Sequence, residues 1–224
     1  MTTSSTTVGV PVRTGASNRF AGIAGILFAI FFIAGMTLSA PDVPDADASL
    51  EEWADWATDS GNGTLALISA YLLVLAAIAL VIFSVGLYHR LRAVEPDGIA
   101  PWTMLGLNVF AAAALVGGGV AINTPTVMYL FDDAPDPTDS VPIQQMISLG
   151  YGAILVGVAL TMAASIAIAS LALRRVTPTW FTIVGYVAAF VLLFGVVFIP
   201  MVVLPLWVLI ASIMMMRSAA AALG

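Results

Sequence analysis

Few residues in this chain of 224 have the chemistry to act on a substrate. It contains no Cys and no Lys, which excludes thiolate nucleophiles, zinc thiolate sites, disulfides and Schiff-base amines together. His89, the single histidine, lies in Tyr88-His89-Arg90-Leu91-Arg92. One imidazole without a partner builds neither a bis-histidine haem site nor a proton relay, so an interfacial anchor beside a basic cluster is expected. Asp132, Asp133, Asp136 and Asp139 put four carboxylates within eight residues. They could gather calcium, but they lack the Gly turn and terminal Glu of an EF-hand loop, and a solvated acidic loop is expected. Asn62-Gly63-Thr64 fits a glycosylation acceptor pattern, whose meaning depends on a secretory route that nothing else in the sequence suggests.

Uncharged polar residues inside apolar stretches form the second group of candidates. Asn108 is the most polar of them, and with Thr161 and Ser165 it makes a candidate polar site in a bundle interior, able to ligand a solute or an ion. The simpler expectation is hydrogen bonding between helices. Ala153, Gly157, Thr161, Ser165 and Ala169 recur every four residues, so one helix face stays flat enough for a neighbouring backbone to come close. Ala113, Gly117 and Ala121 make a shorter series. Packing of these two faces against each other within the chain is expected; a homo-oligomer or partner interface is the alternative. Gly117-Gly118-Gly119 is no phosphate cradle, because the lysine of a P-loop is missing.

The elements that must position these residues follow from composition. The chain is 61% hydrophobic and 9% charged, with a mean hydropathy of +1.05, against about 25% charge in ordinary soluble domains. Stretches 20–40, 64–88, 102–122, 146–173 and 181–216 contain no Asp, Glu, Lys, Arg or His. Spanning a bilayer takes about 20 apolar residues. The last stretch is too long for one helix and carries Pro200 and Pro205, so it is expected to fold back as a hairpin, 181–199 and 201–216. The fold class is therefore an all-α polytopic transmembrane helix bundle of six spans covering 19–217.

Charge sets its orientation. Arg13, Arg19, Arg90, Arg92, Arg174, Arg175 and Arg217 flank alternate span ends, while Asp42, Asp45, Asp47, Glu51, Glu52, Asp55 and Asp59 fill the first opposite connection. Basic flanks are retained in the cytoplasm, which puts both termini inside and both acidic loops outside. Residues 1–18 are Ser/Thr-rich and expected as a disordered cytoplasmic tail, and 218–224 as a short C-terminal tail. The 19 apolar positions from Phe20 to Leu38 exceed a signal-peptide core, so this segment is expected to remain as a span. In the first outer loop, Ser49-Leu50-Glu51-Glu52 has the spacing of a capping box. It opens a short amphipathic helix whose apolar face, Leu50, Trp53, Ala54 and Ala57 with Trp56 nearby, would rest on the leaflet boundary or cap the bundle; a gating lid is the sharper alternative.

Four segments, Arg19-Phe20-Ala21-Gly22-Ile23-Ala24-Gly25-Ile26-Leu27-Phe28, Asp47-Ala48-Ser49 before an acidic aromatic helix, Leu87-Tyr88-His89-Arg90-Leu91 and Leu206-Trp207-Val208-Leu209, resemble an uncharacterised family of six-span membrane proteins common in actinobacteria. The likeness runs in order through most of the chain after residue 18; the Asp/Pro-rich second outer loop falls outside it. It implies architecture and a bacterial plasma-membrane location, and it carries no catalytic residue over. The expected function is that of a non-enzymatic integral membrane protein, an accessory or assembly subunit acting through helix packing on a membrane protein partner or a second copy. The alternative is a small transporter or channel for a neutral or hydrophobic solute. Neither cofactor nor metal nor nucleic acid is expected; the lipid bilayer is the expected surrounding.

Overall fold

The computed structural model describes residues 14–39, 42–45, 47–131, 140–195 and 199–221. The second acidic loop, most of the N-terminal tail and the last three residues lie outside them. Among the described residues the chain is helical: α1 (Thr14–Leu38), α2 (Leu50–Thr58), α3 (Ser60–Val94), α4 (Ala100–Tyr129), α5 (Ser140–Gly152), a π-helical segment (Ala153–Val158), α6 (Ala159–Leu173), α7 (Thr179–Leu192), a 3-10 turn (Ile199–Val202) and α8 (Val203–Ala221). Helices suit stretches that meet lipid, because every backbone N–H and C=O is satisfied within the segment. Four helical stretches are long and apolar enough to cross a membrane: 18–38, 60–94, 100–129 and 143–173. Two further apolar helices, α7 and the 203–217 part of α8, are shorter.

Boundaries differ from the sequence reading where a local device extends a helix. Thr14 to Asn18, assigned to the tail, already belong to α1. α4 continues through Pro125 to Tyr129, beyond the stretch expected to end at Ile122. The Asn-Thr-Pro sequence resembles a breaker, but Asn123 and Thr124 both turn back onto their own helix, Nδ2 donating to Gly119 O at 2.7 Å and Oγ1 to Val120 O at 2.7 Å. α7 ends at Leu192, seven residues before the expected end of its span at 199.

The helices follow one another around an arc in the order α8, α1, α3, α4, α6, α7, with α5 and the π segment on α4 and a thin α7–α8 contact closing the ring. Close approaches occur at glycine. An added Cβ at Gly150 would stand 2.6 Å from Gly118 O, so the backbones of α5 and α4 touch there. Phe28, Leu73, Leu80, Phe83, Leu115 and Ile154 fill the interior and are fully buried. The outward faces are equally apolar: Phe20, Ile23, Leu27 and Ile30 on α1, and Ile183, Val187 and Phe190 on α7. Apolar cover on that scale is untenable in water and natural against lipid.

The two ends of the bundle have opposite character. Ser39, Ser69 and Asn123 meet where α1 ends, α3 begins and α4 approaches its end, and the connection from 42 to 59 with its carboxylates lies there. At the other end Gly86 packs on Ala21 and Met215, and Arg90 shares a cavity with Thr177, Phe181 and Met215. Arg19, Arg92, Arg174, Arg175 and Arg217 are chain neighbours of that end.

Candidate functional site

The interior polar groups are built on one antiparallel register between α3 and α4. Ser69 and Ser84 are fifteen residues apart on α3, as are Asn108 and Asn123 on α4. Fifteen residues is about four helical turns, so each pair lies near one face of its helix. Asn123 Nδ2 donates to Ser69 Oγ at 3.3 Å, and Asn108 Nδ2 donates to Ser84 Oγ at 2.9 Å. Two Ser–Asn rungs therefore join the same two helices, one toward the acidic end and one toward the basic end.

The rung at the acidic end is shared by a third helix. Just beyond the end of α1, Ser39 accepts from Asn123 Nδ2 at 3.2 Å and donates to Asn123 Oδ1 at 3.4 Å. Ser69 Oγ donates to Gly35 O of α1 at 2.9 Å. Ser39, Ser69 and Asn123 are all nearly inaccessible, and their polar atoms answer one another. The other rung is simpler: Ser84 Oγ donates to Leu80 O at 2.6 Å, Asn108 Nδ2 also approaches Met104 Sδ at 3.2 Å, and Asn108 Oδ1 is buried with no partner.

Thr161 and Ser165 do not join Asn108. Thr161, half-buried, donates to Gly157 O at 2.6 Å and Val158 O at 3.2 Å, carbonyls at the exit of the π segment. It thus serves the helix in which it sits. Ser165 is buried further along α6. In the small-residue series Ala153 and Gly157 are half-buried while Ser165 and Ala169 are buried. An added Cβ at Gly157 would meet Ala114 of α4 at 3.3 Å. A four-residue step overshoots an α-helical turn by about 40°, whereas the wider π turn falls short of completion and swings Ala153–Gly157 back toward α4.

The partner face expected on α4 is one residue out of register. Ala113 and Gly117 point outward, and an added Cβ at Gly117 would meet nothing within 4 Å. Gly118 packs on Ile154, Ala153 and Gly150, and Gly119 packs on Leu73.

At the acidic end the capping box forms as expected, Ser49 N donating to Glu52 Oε2 at 2.8 Å and Glu52 N to Ser49 Oγ at 3.2 Å. The Ser49 backbone N–H, together with the Ser49 hydroxyl donating to Glu52 Oε2 at 3.0 Å, holds the exposed Glu52 carboxyl below its ordinary pKa. α2 buries Trp53, Trp56 and Ala57 against α3, α4 and α5, so it caps the bundle. Leu50, expected on the apolar face, is exposed, and Trp56 takes its place. An open bowl of about 660 Å³ is lined by Asp42, Asp45, Asp47, Glu52, Asp55 and Trp56; among the described residues no three His, Asp or Glu side chains are disposed to hold a metal ion.

At the basic end Ser170 Oγ and Trp207 Nε1 are buried without partners, both beside Gly185. On the surface His89 is one ring of an aromatic set. Tyr88 meets His89 edge-on at 5.5 Å and Trp102 at 4.9 Å between centroids, and Arg92 Nη1 donates to Tyr88 Oη at 3.2 Å. Sequence reasoning missed the Asn123 cluster and Trp102; the common fifteen-residue spacing on neighbouring helices was the signal available. No protein-family model, curated protein or solved structure matches this chain.

Proposed function

We propose that this chain is a plasma-membrane protein of six spans with both termini cytoplasmic, acting as an accessory or assembly subunit through helix packing. The observation that carries this reading is the use made of the interior polar groups: Asn123, Ser39 and Ser69 bond one helix to the next rather than lining a path. The segregation of charge supports the orientation, since a basic end faces the cytoplasm. The α7–α8 hairpin, with Pro200 in its turn, supplies spans five and six. No enzymatic step belongs to the proposal, and the likeness to the actinobacterial six-span family enters it on the four quoted motifs alone.

A second reading, a small transporter for a neutral solute, rests on the buried Asn108 Oδ1, an acceptor open to a donor. Purification in mild detergent at native abundance, followed by light scattering, is expected to return the chain with a stoichiometric membrane partner or a second copy. A lone chain whose proteoliposomes pass a small neutral solute, with passage lost in Asn108→Leu, would overturn the accessory reading in favour of the transporter.

A further inference from the structure

We propose that the basic end carries a binding site for the phosphate of an anionic membrane lipid, formed by Arg92, Tyr88 and Trp102. Arg92 presents five N–H donors in a planar fork, and its bond to Tyr88 Oη occupies one. Because Tyr88 Oη accepts that bond, its own proton is available to an acceptor. Trp102 is 58% exposed and its indole can only donate. With the Tyr88 and Trp102 rings 4.9 Å apart, Arg92, Tyr88 and Trp102 gather three kinds of donor in one cluster between the end of α3 and the start of α4. Donors without a facing carboxylate select an acceptor-rich anion, and a planar guanidinium matches phosphate two bonds at a time. On the connecting turn the Glu95 carboxylate lies over Gly98, its Oε2 2.7 Å from where a Gly98 Cβ would be.

What lies below the cluster selects a lipid over a free ion. Trp102, Gly106 and Phe110 follow at four-residue steps on the outward face of α4, and Trp102 and Phe110 are both more than half exposed. A Cβ added at Gly106 would meet nothing within 4 Å, so a shallow trough runs from the donor cluster between two aromatic side chains. On α3, Val85 is exposed one turn below Tyr88. A phosphate at the cluster places its acyl chains along this trough, where the protein meets hydrocarbon. The set lies where tyrosine, tryptophan and arginine meet headgroups, and it adds a fixed geometry to that general preference. Phosphatidylcholine carries its own cation beside the phosphate; a headgroup of net negative charge leaves the guanidinium uncontested.

The inference rests on the membrane reading of the chain and not on an accessory role, and it is tested without reference to topology. Full-length protein in detergent is titrated with phosphatidylglycerol or with phosphatidylcholine of the same chains, and bound lipid is counted by native mass spectrometry. One phosphatidylglycerol is expected to bind about tenfold more tightly than phosphatidylcholine, with Arg92→Gln and Tyr88→Phe each weakening it about fivefold. Gly106→Leu fills the trough at constant charge and should weaken binding as well, while Arg217→Gln, remote in sequence at the same end, should leave it unchanged. Equal binding of the two lipids would overturn the proposal, as would an Arg217→Gln loss equal to that of Arg92→Gln, which would mean net charge alone. Displacement of the lipid by millimolar inorganic phosphate would overturn it too, in favour of a soluble ion.

Discussion

The two Ser–Asn rungs between α3 and α4 use the same residue types on the same helices in one register, yet only one is closed. Toward the acidic end, α1 brings the Gly35 carbonyl and the adjoining Ser39 hydroxyl, so the Asn123 amide has partners on both of its atoms. Toward the basic end no hydrogen bond from α1 reaches the rung among the described residues, and Gly25 of α1, without a side chain, lies against Phe83, the neighbour of Ser84. Asn108 keeps one bond to Ser84, one weak contact to sulfur, and an open oxygen. A polar pair across two membrane helices thus becomes a clamp only when a third helix completes it. Without that helix, the same pair leaves a buried acceptor that costs free energy.

The comparison is broken most strongly by separating the helices at the closed rung. Gly119 supplies a carbonyl to Asn123, and a Cβ there would stand 3.1 Å from Leu73 Cβ. Gly119→Ala should push α3 from α4 and cost about 1–3 kcal/mol, as overpacking does, seen as a lower midpoint in denaturant-driven unfolding in detergent. Gly117→Ala, two residues away and outward, should change nothing. Removing the amide itself comes next. Asn123→Leu leaves Ser39, Ser69 and the Gly119 carbonyl to find other partners and should cost about 1–2 kcal/mol, near the upper range for polar contacts between membrane helices. A midpoint equal to the parent would mean that the cluster does not clamp α1 to α4.

Ser39→Ala is the sharper test, because it converts the closed rung into a copy of the open one. It removes one hydroxyl and leaves Asn123 bonded to Ser69, and about 0.6 kcal/mol is expected. In a double-mutant cycle Ser39→Ala and Asn123→Leu should couple by a similar amount. Additive losses would show that Ser39 and Asn123 do not couple, leaving the bond from Ser69 to Gly35 O as the polar link between α1 and the rung.

How far the sequence discloses this arrangement differs from feature to feature. Charge-free stretches and the alternation of arginine with carboxylate were legible because lipid imposes them on composition, and the Ser49–Glu52 box because its spacing is local. The register of α4 was not: in Gly117-Gly118-Gly119 three adjacent residues point three ways about 100° apart, and composition does not tell which meets α3. Nor was the π segment, an extra residue in a turn of Ala, Ile, Leu, Val and Gly that carries no marker. Asn123 was hidden by Pro125, which reads as the end of a helix and in fact lies inside one. Ser39 contributes across 84 residues of chain, a pairing that only the packing of α1 discloses.

The smallest expected effect belongs to the open rung. Asn108→Leu removes the amide bond to Ser84, at a cost of about 0.6 kcal/mol on the scale of such bonds in membranes. It also removes the unpartnered oxygen, whose burial opposes folding, and replaces the amide with a side chain suited to the neighbouring Met104. The two terms have opposite signs and similar size, so the unfolding midpoint should move little, and less than in Asn123→Leu. This near-neutrality is informative because it separates stability from use. A protein in which Asn108 is only an imperfect rung tolerates leucine in every assay. A protein in which the open oxygen receives a donor from a passing solute keeps its midpoint and loses that passage. A large destabilisation would contradict both, since it would require Oδ1 to be bonded in the folded bundle. Measuring midpoint and solute passage on the same Asn108→Leu preparation therefore decides whether the unclosed rung is tolerated or used.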